Sequence, residues 1–419
     1  FRFLDRRARA VLRERTVAGS YRPWWLMGER EAVHRRPHGV VGVIGTWNYP
    51  VLLNAVPIAQ ALVAGNGVVW KPSELAVTGG DFLHQLFLDA GFPPELFVRL
   101  PATRETGPQL AEADVDHVLF TGSADVGRKL AARLGERLIS STLELSGCDA
   151  ALVLADADVG LAAKAVWFGA TLNAGQTCLA VRRAFVHRSR YDEFVTAVRQ
   201  LATGTRDEPL ALISQATQAE RLVRDAVAGG GKLLAGSELP VAADDPPRFR
   251  PTLVVDASPA AAVCTEASFA PVAGVLPFDD EADLPGMVDA SPYGLAASIF
   301  TADVSRAEEL AARLRVGSVI VNDVIVGTAH PALPFGGVRR SGWGVTRGEE
   351  GLLAMTVPQV VSVRTGKFRP HFDGTATGGI AEMMAGLLLR DHAESRRDRW
   401  TGFKKMVRGM MRTVFRRSS

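Results

Sequence analysis

Three side chains of different chemistry stand in short, distinctive strings of the sequence. Cys178 lies in NAGQTCLA, Glu144 lies in LELSG 34 positions upstream, and Asn48 lies in TWNYP near the start. A lone cysteine is often only a small buried side chain. A thiol, a carboxylate and an amide donor, however, are the groups that the covalent oxidation of an aldehyde requires.

The chemistry that these groups could perform has two halves. The thiolate of Cys178 would add to an aldehyde carbon, and the Asn48 amide with the backbone N–H of Cys178 would hold the resulting oxyanion. Loss of a hydride to a nicotinamide ring would leave a thioester. Glu144 would then activate the water that hydrolyses this thioester.

A second group of residues indicates where such a cofactor would bind. Gly122 and Ser123 follow a predicted strand, and Gly127 lies one turn into the next helix. Glycines and a helix N-terminus suit a pyrophosphate. Lys71 and Glu74, just past another strand, could hold ribose hydroxyls. Each pattern taken alone is also typical of an ordinary turn or a solvated surface.

The elements that must position these residues alternate between strands and helices. The first series has predicted strands at 39–46, 67–70, 97–100 and 117–120 and helices at 51–63, 80–90 and 125–138. The second begins near 151, with helices near 160–173 and 191–201 and strands near 181–187, 252–255, 272–277 and 317–321. This alternation predicts parallel βαβ units in an α/β fold.

Composition limits the class of protein. A chain of 419 residues with 47% hydrophobic and 22% charged residues fits a globular protein of two or three domains. Three cysteines without a CxxC pair favour neither a disulfide framework nor a metal site, and indicate a reducing, cytoplasmic location. No signal-peptide pattern stands at the start of this sequence, and no apolar run reaches the roughly 18–20 residues of a membrane span. The start at Phe1 indicates a trimmed product or a fragment.

The C-terminal segment differs from the rest in charge. Residues 366–419 contain twelve Lys or Arg and five Asp or Glu. A separate segment within the second series, residues 235–250, is predicted to be a surface excursion. One helical stripe over 396–417 is formed by Trp400, Phe403, Val407, Met410 and Val414. A basic amphipathic helix of this kind suits a membrane surface or a protein partner, and packing on its own body is the alternative. Gly402 and Gly409 would weaken it in isolation by about 1 kcal/mol each.

Over roughly residues 30–365 the chain resembles the aldehyde dehydrogenase superfamily. The matching strings are TWNYP (46–50), WKPSE (70–74), FTGSADVGR (120–128), LELSG (143–147), NAGQTCLA (173–180), EASFAPV (266–272), YGLAASIFT (293–301) and PFGGVRRSGWG (334–344). Their spacing and the compact length look most like the class 3, fatty-aldehyde-like branch.

The resemblance implies a role for each matching residue. Cys178 matches the nucleophile, Glu144 the general base and Asn48 the oxyanion donor. The implied cofactor contacts are Thr46, Trp47, Lys71, Glu74, Gly122, Ser123, Gly127 and Phe269. NAD is the expected cofactor with NADP as the alternative, because the Glu74 carboxylate would repel a 2′-phosphate.

The resemblance also implies an architecture. A Rossmann-like cofactor domain would span 1–145, with an oligomerisation-arm strand near 21–39, and an α/β catalytic domain would span 146–345. A return segment and second arm strand would follow at 346–365, and the basic tail at 366–419. The implied partners are a small aldehyde and a second copy in a homodimer, with no nucleic acid.

Two departures from the family's pattern keep alternatives open. Ala267 stands where an acidic residue usually anchors the nicotinamide ribose, and Ser146-Gly147-Cys148 replaces Gly-Gly-Lys. Loss of a charge-assisted bond of about 1.5–3 kcal/mol would weaken cofactor binding. The alternatives are a CoA-acylating dehydrogenase, which would not need Glu144 as a base, and a catalytically silent binding or scaffold protein.

Overall fold

The computed structural model describes residues 1–22, 26, 28–236, 246–365 and 378–415. These residues form two compact units. The larger contains Phe1–Arg13 and Arg35–Val357, and the smaller contains Glu14–His34 and the described residues after Pro358. No helix among the described residues is long and apolar enough to cross a membrane.

The larger unit contains a six-stranded sheet of order β19-β7-β6-β3-β4-β5. Its strands are β3 (Val40–Ile44), β4 (Gly67–Lys71), β5 (Phe97–Arg99), β6 (His117–Gly122), β7 (Ser140–Leu145) and β19 (Gly342–Trp343). The associated helices are α1 (Arg2–Val11), α2 (Leu52–Val63), α3 (Val77–Asp89), α4 (Thr106–Glu112), α5 (Ala124–Glu136) and α12 (Gly348–Ala354). Apart from antiparallel β19, all of the strands run parallel, as βαβ connections require.

A second sheet of seven strands has the order β11-β13-β14-β9-β8-β16-β17. Its strands are β8 (Asp149–Val153), β9 (Val181–His187), β11 (Lys232–Ala235), β13 (Thr252–Val255), β14 (Val272–Phe278), β16 (Ala296–Phe300) and β17 (Ser318–Val321). Its helices are α6 (Val159–Thr171), α7 (Arg188–Ala202), α8 (Ile213–Ala228), α9 (Ala262–Thr265), α10 (Leu284–Asp289) and α11 (Val304–Ala311). Two short ribbons pair β10 (Glu208–Pro209) with β12 (Arg248–Phe249) and β15 (Tyr293–Gly294) with β18 (Val338–Arg339).

The apolar runs that predict strands form the cores of these two sheets. Val41, Val43 and Trp70 of the first sheet and Leu152 and Phe185 of the second are almost completely buried. The predicted α/β fold is confirmed, and the elements predicted for the two α/β series begin and end within three residues of the observed ones. Several elements had no prediction, among them helices α4, α8 and α11 and strands β7 and β16. Strand β7 begins with three hydroxyl residues, which hide its apolar pattern.

The smaller unit contains strands where the arm is predicted. A three-stranded sheet of order β1-β2-β20 is formed by β1 (Arg15–Thr16), β2 (Glu29–Pro37) and β20 (Thr356–Arg364). Residues 23–25 and 27 of the predicted arm, and most of the predicted excursion at 235–250, lie outside the described residues. The domain limits and the oligomerisation role stay predictions.

The predicted tail helix is one half of a helix pair. Helix α14 (Arg396–Phe415) packs against α13 (Gly378–His392), for which the sequence analysis has no prediction. A Cβ atom on Gly402 would lie 2.4 Å from the Arg390 nitrogen, and one on Gly409 would lie 2.5 Å from the Met383 nitrogen. The two glycines, expected only to weaken an isolated helix, therefore permit the close contact between two helices.

Candidate functional site

The predicted site residues of the first sheet lie at the carboxyl ends of its parallel strands. Thr46 and Asn48 follow β3, Lys71 ends β4, Gly122 ends β6 and Glu144 is the penultimate residue of β7. Because parallel strands present the same end at one edge, this edge is where an open α/β sheet binds ligands. The tertiary structure therefore brings together side chains that lie up to about 100 positions apart in the chain.

A sharp turn presents Cys178 to the same edge. Asn173, Ala174 and Gly175 all have positive φ angles, of 53°, 54° and 69°. A Cβ atom on Gly175 would lie 2.5 Å from the backbone of Ala270, so that only glycine fits this position. This turn places Cys178, the nucleophile candidate, in the connection between the end of α6 and the start of β9.

Cys178, Glu144 and Asn48 line one small cavity. Its other lining residues are Thr46, Leu53, Thr121, Gly122, Leu145, Phe269 and Phe335. The cavity volume is about 20 Å³, which is enough for roughly one water molecule. A thiol, a carboxylate, an amide donor and room for a water are thus gathered at one point.

The Glu144 carboxyl group has the properties of a general base. Complete burial raises its pKa to about 7, while a hydrogen bond from the Thr346 hydroxyl and the charge of Arg347 act in the opposite direction. A base whose pKa lies near the working pH combines the correct protonation state with a useful driving force for proton transfer. Thr346 therefore orients Glu144, although the two residues are 202 positions apart.

The Cys178 thiol is neutral in this environment. Burial raises its pKa to about 12, and the carboxyl groups of Asp149 and Glu144 add to the rise. A hydrogen bond from the Leu179 backbone and the charge of Arg347 favour the thiolate. Thiolate formation therefore depends on a nearby base or an added positive charge.

The Asn48 amide is held in one orientation. Its Oδ1 accepts a hydrogen bond from the Thr46 hydroxyl at 2.9 Å, and its Nδ2 donates to the carbonyl of Gln176 at 3.0 Å. One hydrogen on Nδ2 remains for a substrate oxyanion. Thr46, predicted as a cofactor contact, thus has a hydroxyl that positions Asn48.

A buried arginine holds the nucleophile turn in place. The Arg182 guanidinium donates hydrogen bonds to the carbonyls of Gly175, Ser268 and Ala270, the last two at 2.6 and 2.5 Å. It therefore connects the Cys178 turn to the segment that carries Phe269. Sequence reasoning missed this residue, because an arginine inside an apolar strand pattern has no local signal of its partners.

A larger cleft adjoins the cavity at Phe269. Its volume is about 530 Å³, and its other lining residues are Ser123, Ala124, Asp125, Ser146, Gln218, Thr265, Glu266, Ala267, Pro292, Tyr293 and Arg340. The Ser123 hydroxyl caps α5 by accepting from the Val126 backbone N–H at 3.4 Å. The free N–H groups of this helix end suit a pyrophosphate, so that these residues fit the phosphates of a dinucleotide.

Ala267, which stands where the family usually has an acidic residue, lines this cleft beside Glu266. Ala267 only accepts a hydrogen bond, from Gln218 Nε2 to its carbonyl at 3.1 Å. The adjacent Glu266 forms an ion pair with Arg221 at 2.5 Å. Gln218, which sequence reasoning missed, is the polar side chain next to the altered position.

The remaining predicted cofactor residues form an ion pair, a contact between two aromatic rings and a close contact between a helix and a strand. Lys71 Nζ lies 2.8 Å from Glu74, which also pairs with Arg104 at 3.2 Å. The rings of Trp47 and Phe269 lie 5.9 Å apart. Gly127 faces Leu145, where a Cβ atom would come within 2.5 Å, and so it allows α5 to pack on β7.

The Glu74 carboxyl group keeps its charge in this arrangement. Burial would raise its pKa, but hydrogen bonds from Lys71, its own backbone and Arg104, together with the Lys71 charge, lower the pKa overall. A persistent negative charge is what the argument for NAD over NADP requires.

The second departure from the family pattern places a thiol in the interior. Cys148 is buried, its Sγ donates to the carbonyl of Cys264 at 3.4 Å, and burial raises its pKa. These properties favour an inert thiol over a second reactive one.

The comparisons with known proteins agree with this geometry. Residues 2–361 match the aldehyde dehydrogenase family. A 4,4'-diapolycopene aldehyde oxidase from Methylomonas sp. is 37% identical over 366 residues, which cover 85% of this chain and 67% of the relative. This chain belongs to the aldehyde dehydrogenase family. A benzaldehyde dehydrogenase [NAD(+)] of Pseudomonas putida is 33% identical over 78% of this chain and 68% of its own.

A solved structure shows the same fold. The Mycobacterium tuberculosis aldehyde dehydrogenase complexed with NAD+ superposes with a TM-score of 0.80 at 33% identity, over 87% of this chain and 75% of that chain. The predicted enzyme class, an NAD(P)-dependent aldehyde dehydrogenase that oxidises an aldehyde to a carboxylic acid, is confirmed at the level of the family.

Proposed function

We propose that Cys178 is the nucleophile, Glu144 the general base and Asn48 an oxyanion donor in the oxidation of an aldehyde to a free acid. The observation that carries this proposal is that the three side chains line one cavity at the carboxyl edge of the sheet. If Cys178→Ala left aldehyde oxidation intact, the proposed mechanism would be refuted.

The reaction uses each group at a defined step. Glu144 accepts the thiol proton, and Cys178 Sγ forms a bond to the aldehyde carbon. The second hydrogen of Asn48 Nδ2 and the Cys178 backbone N–H hold the oxyanion. Glu144 releases the thiol proton to solvent, and loss of a hydride to the cofactor would leave the carbon as a thioester of Cys178. Glu144 then takes a proton from the water that attacks the thioester and returns it to the departing Cys178 thiolate. The products are the carboxylic acid and the free thiol.

The cofactor supplies the hydride acceptor for this reaction. When the cofactor is bound, Ser123 and the N-terminus of α5 would hold its phosphates, Lys71 and Glu74 would hold a ribose, and Trp47 and Phe269 would lie beside its nicotinamide ring. The charge of Glu74 favours NAD over NADP. Measurement of kcat/KM with both cofactors tests this preference, and Glu74→Gln should narrow the difference between them.

Water rather than CoA is the proposed acyl acceptor. The buried Glu144 beside a water-sized cavity supports hydrolysis, because transfer to a CoA thiol does not require that base. Product analysis with and without CoA decides between the two reactions. Formation of an acyl-CoA in place of free acid would favour the acylating alternative.

A silent scaffold protein is the alternative that Ala267 and Ser146 favour. Titration of the purified chain with NAD and NADP tests it directly. No binding at millimolar concentrations of either cofactor would support the scaffold and refute the proposed activity.

We infer that the substrate is an apolar aldehyde. A cavity of about 360 Å³ lies between α1 and α2. Its lining is mostly apolar and consists of Phe1, Phe3, Leu4, Val51, Leu52, Ala55, Val56, Ala59, Gln60, Ala329, Pro331 and Arg347. Helix α2 also contributes Leu53 to the cavity beside Cys178. Two of the relatives are named for aldehydes that fit this inference, a diapolycopene aldehyde and benzaldehyde.

A panel of aldehydes of increasing chain length, measured with both cofactors, tests the apolar substrate. Val56→Trp, which would fill part of the apolar cavity between α1 and α2, should reduce kcat/KM for long aldehydes more than for short ones. An equal loss of kcat/KM for long and short aldehydes would show that the substrate does not occupy this cavity.

Three predictions from the sequence remain predictions. They are the class 3, fatty-aldehyde-like placement, the homodimer and the partner of the basic tail.

A further inference from the structure

Helices α13 and α14 form a closely packed pair, here called the C-terminal hairpin (378–415). It lies beyond residue 361, where the match to the aldehyde dehydrogenase family ends, so that the family's chemistry does not account for it. The contact is made through small residues. A Cβ atom on Gly386 would lie 2.3 Å from the Met406 nitrogen, in addition to the close contacts of Gly402 and Gly409.

Ion pairs mark one side of the C-terminal hairpin. Arg408 and Arg412 of α14 lie 3.8 and 2.8 Å from Glu382 of α13. A helix advances about 100° per residue, so that Phe403 and Met410 lie on the other side of the Gly402–Gly409 contact line from these arginines. Charged side chains therefore lie on one side of the contact between the two helices, and apolar side chains lie on the other.

The apolar side chains of both helices lie on the same side. Met384 and Leu388 follow Glu382 by two and six positions, which places them on the opposite side of α13. They are 41% and 58% exposed, and Trp400 and Phe403 of α14 are 59% and 40% exposed. These four exposed apolar side chains thus lie away from the ion-paired side of the C-terminal hairpin, and they are here called its apolar face.

A cation borders this apolar face at Trp400, whereas Lys405 lies on the same side of α14 as Arg408 and Arg412. Helix α14 carries seven Lys or Arg residues and one Asp. Lys404 Nζ lies 5.6 Å from the centre of the Trp400 ring, which in turn stacks on Phe403 at 5.5 Å. Among the described residues, no acidic side chain forms an ion pair with Lys404 or Lys405. Aromatic rings beside uncompensated cations are complementary to the interface of an anionic bilayer.

We propose that the C-terminal hairpin is a peripheral membrane anchor, in which the apolar face of Met384, Leu388, Trp400 and Phe403 enters the surface of a bilayer rich in anionic phospholipid. The rings and aliphatic side chains enter the headgroup region, and Lys404 beside Trp400 contacts lipid phosphates. This proposal does not rest on the roles proposed for Cys178, Glu144 and Asn48.

Vesicle co-sedimentation of the full chain tests the anchor. Vesicles of phosphatidylcholine alone are compared with vesicles in which a third of the lipid is phosphatidylglycerol. We expect binding to the anionic vesicles, weakened by added salt. Lys404→Gln should weaken it about fivefold, since about 1 kcal/mol per cation near an anionic surface corresponds to roughly that factor. Trp400→Ser with Phe403→Ser should weaken it at least as much.

Matched substitutions elsewhere separate the hairpin from general surface effects. Phe82→Ser removes an aromatic side chain that is also 59% exposed, and Lys164→Gln with Arg199→Gln removes two exposed cations. These controls should leave vesicle binding unchanged. Oxidation of a water-soluble aldehyde should be the same in the hairpin variants as in the original chain, which separates failure of the anchor from failure of the enzyme.

Three outcomes would overturn the proposal. The first is equal losses of vesicle binding in the hairpin variants and the controls. The second is vesicle binding that is weakened by Lys404→Gln but not by Trp400→Ser with Phe403→Ser. The third is an absence of vesicle binding together with a lower oligomeric mass of the Trp400→Ser, Phe403→Ser chain in light scattering. That result would instead make the apolar face an interface between copies of this chain.

Discussion

Replacement of Thr346 by Val should raise the pH at which aldehyde turnover reaches half its maximum. The Thr346 hydroxyl donates a hydrogen bond to Glu144, which stabilises the charged carboxylate and lowers the pKa that burial has raised to about 7. A hydrogen bond to a charged group contributes about 1.5–3 kcal/mol. Since 1.36 kcal/mol corresponds to one pH unit, loss of the bond should move the midpoint upward by roughly one to two pH units.

The assay is kcat as a function of pH at saturating aldehyde and cofactor. In the original chain, turnover should rise about tenfold between pH 6 and pH 8, because Glu144 is active only as the carboxylate. Thr346→Val should reach the same plateau at higher pH. Thr346→Ser keeps the hydroxyl and should keep the midpoint near that of the original chain, which makes it the matched control.

Two results would refute this reasoning. One is an unchanged midpoint in a Thr346→Val chain that has the thermal stability of the original. The other is a Glu144→Gln chain that retains a midpoint near pH 7, since the titrating group would then be another residue. We expect Glu144→Gln to lose about 10²–10⁴-fold in kcat and to lose this midpoint.

Four further changes test other parts of the structure. Cys178→Ala should abolish aldehyde oxidation while NAD binding, measured by calorimetry, persists. Arg182→Met removes a donor from three buried carbonyls, of which only that of Ala270 keeps another among the described residues, the Val272 N–H, and we expect a loss of unfolding free energy of at least about 3 kcal/mol in denaturant titration; an unchanged value would contradict its structural role. Ala267→Glu should lower the Kd for NAD roughly tenfold if this position faces the nicotinamide ribose, and no change would exclude that placement. Gly409→Leu should separate α13 from α14 and speed hydrogen exchange of the α13 amides, whereas unchanged protection would show that this glycine is not needed for the close contact.

Much of the fold and several groups of the site could be predicted from the sequence, because their signals are local. Alternating apolar runs predict buried strands separated by helices, and this pattern requires no knowledge of distant residues. The strings around Asn48, Glu144 and Cys178 carry the resemblance to the family. Parallel strands then necessarily bring residues at their carboxyl ends to one edge.

Other features depend on contacts that no local pattern encodes. Thr346 is 202 positions from Glu144, and the carbonyls that Arg182 holds come from two separate segments. The pKa of Glu144 is raised because the assembled fold excludes water from its carboxyl group, which is a property of packing and not of the LELSG string.

The C-terminal hairpin shows the same division. The sequence alone predicted a basic amphipathic helix over 396–417, of which Arg396–Phe415 lies among the described residues and is helical, because side-chain periodicity is a local property. Only the tertiary structure decided that a second helix packs on it, that its glycines lie at the contact, and that apolar side chains from both helices share one side. Those features require two segments to approach more closely than larger side chains would permit, and that condition exists only once both helices have formed and met.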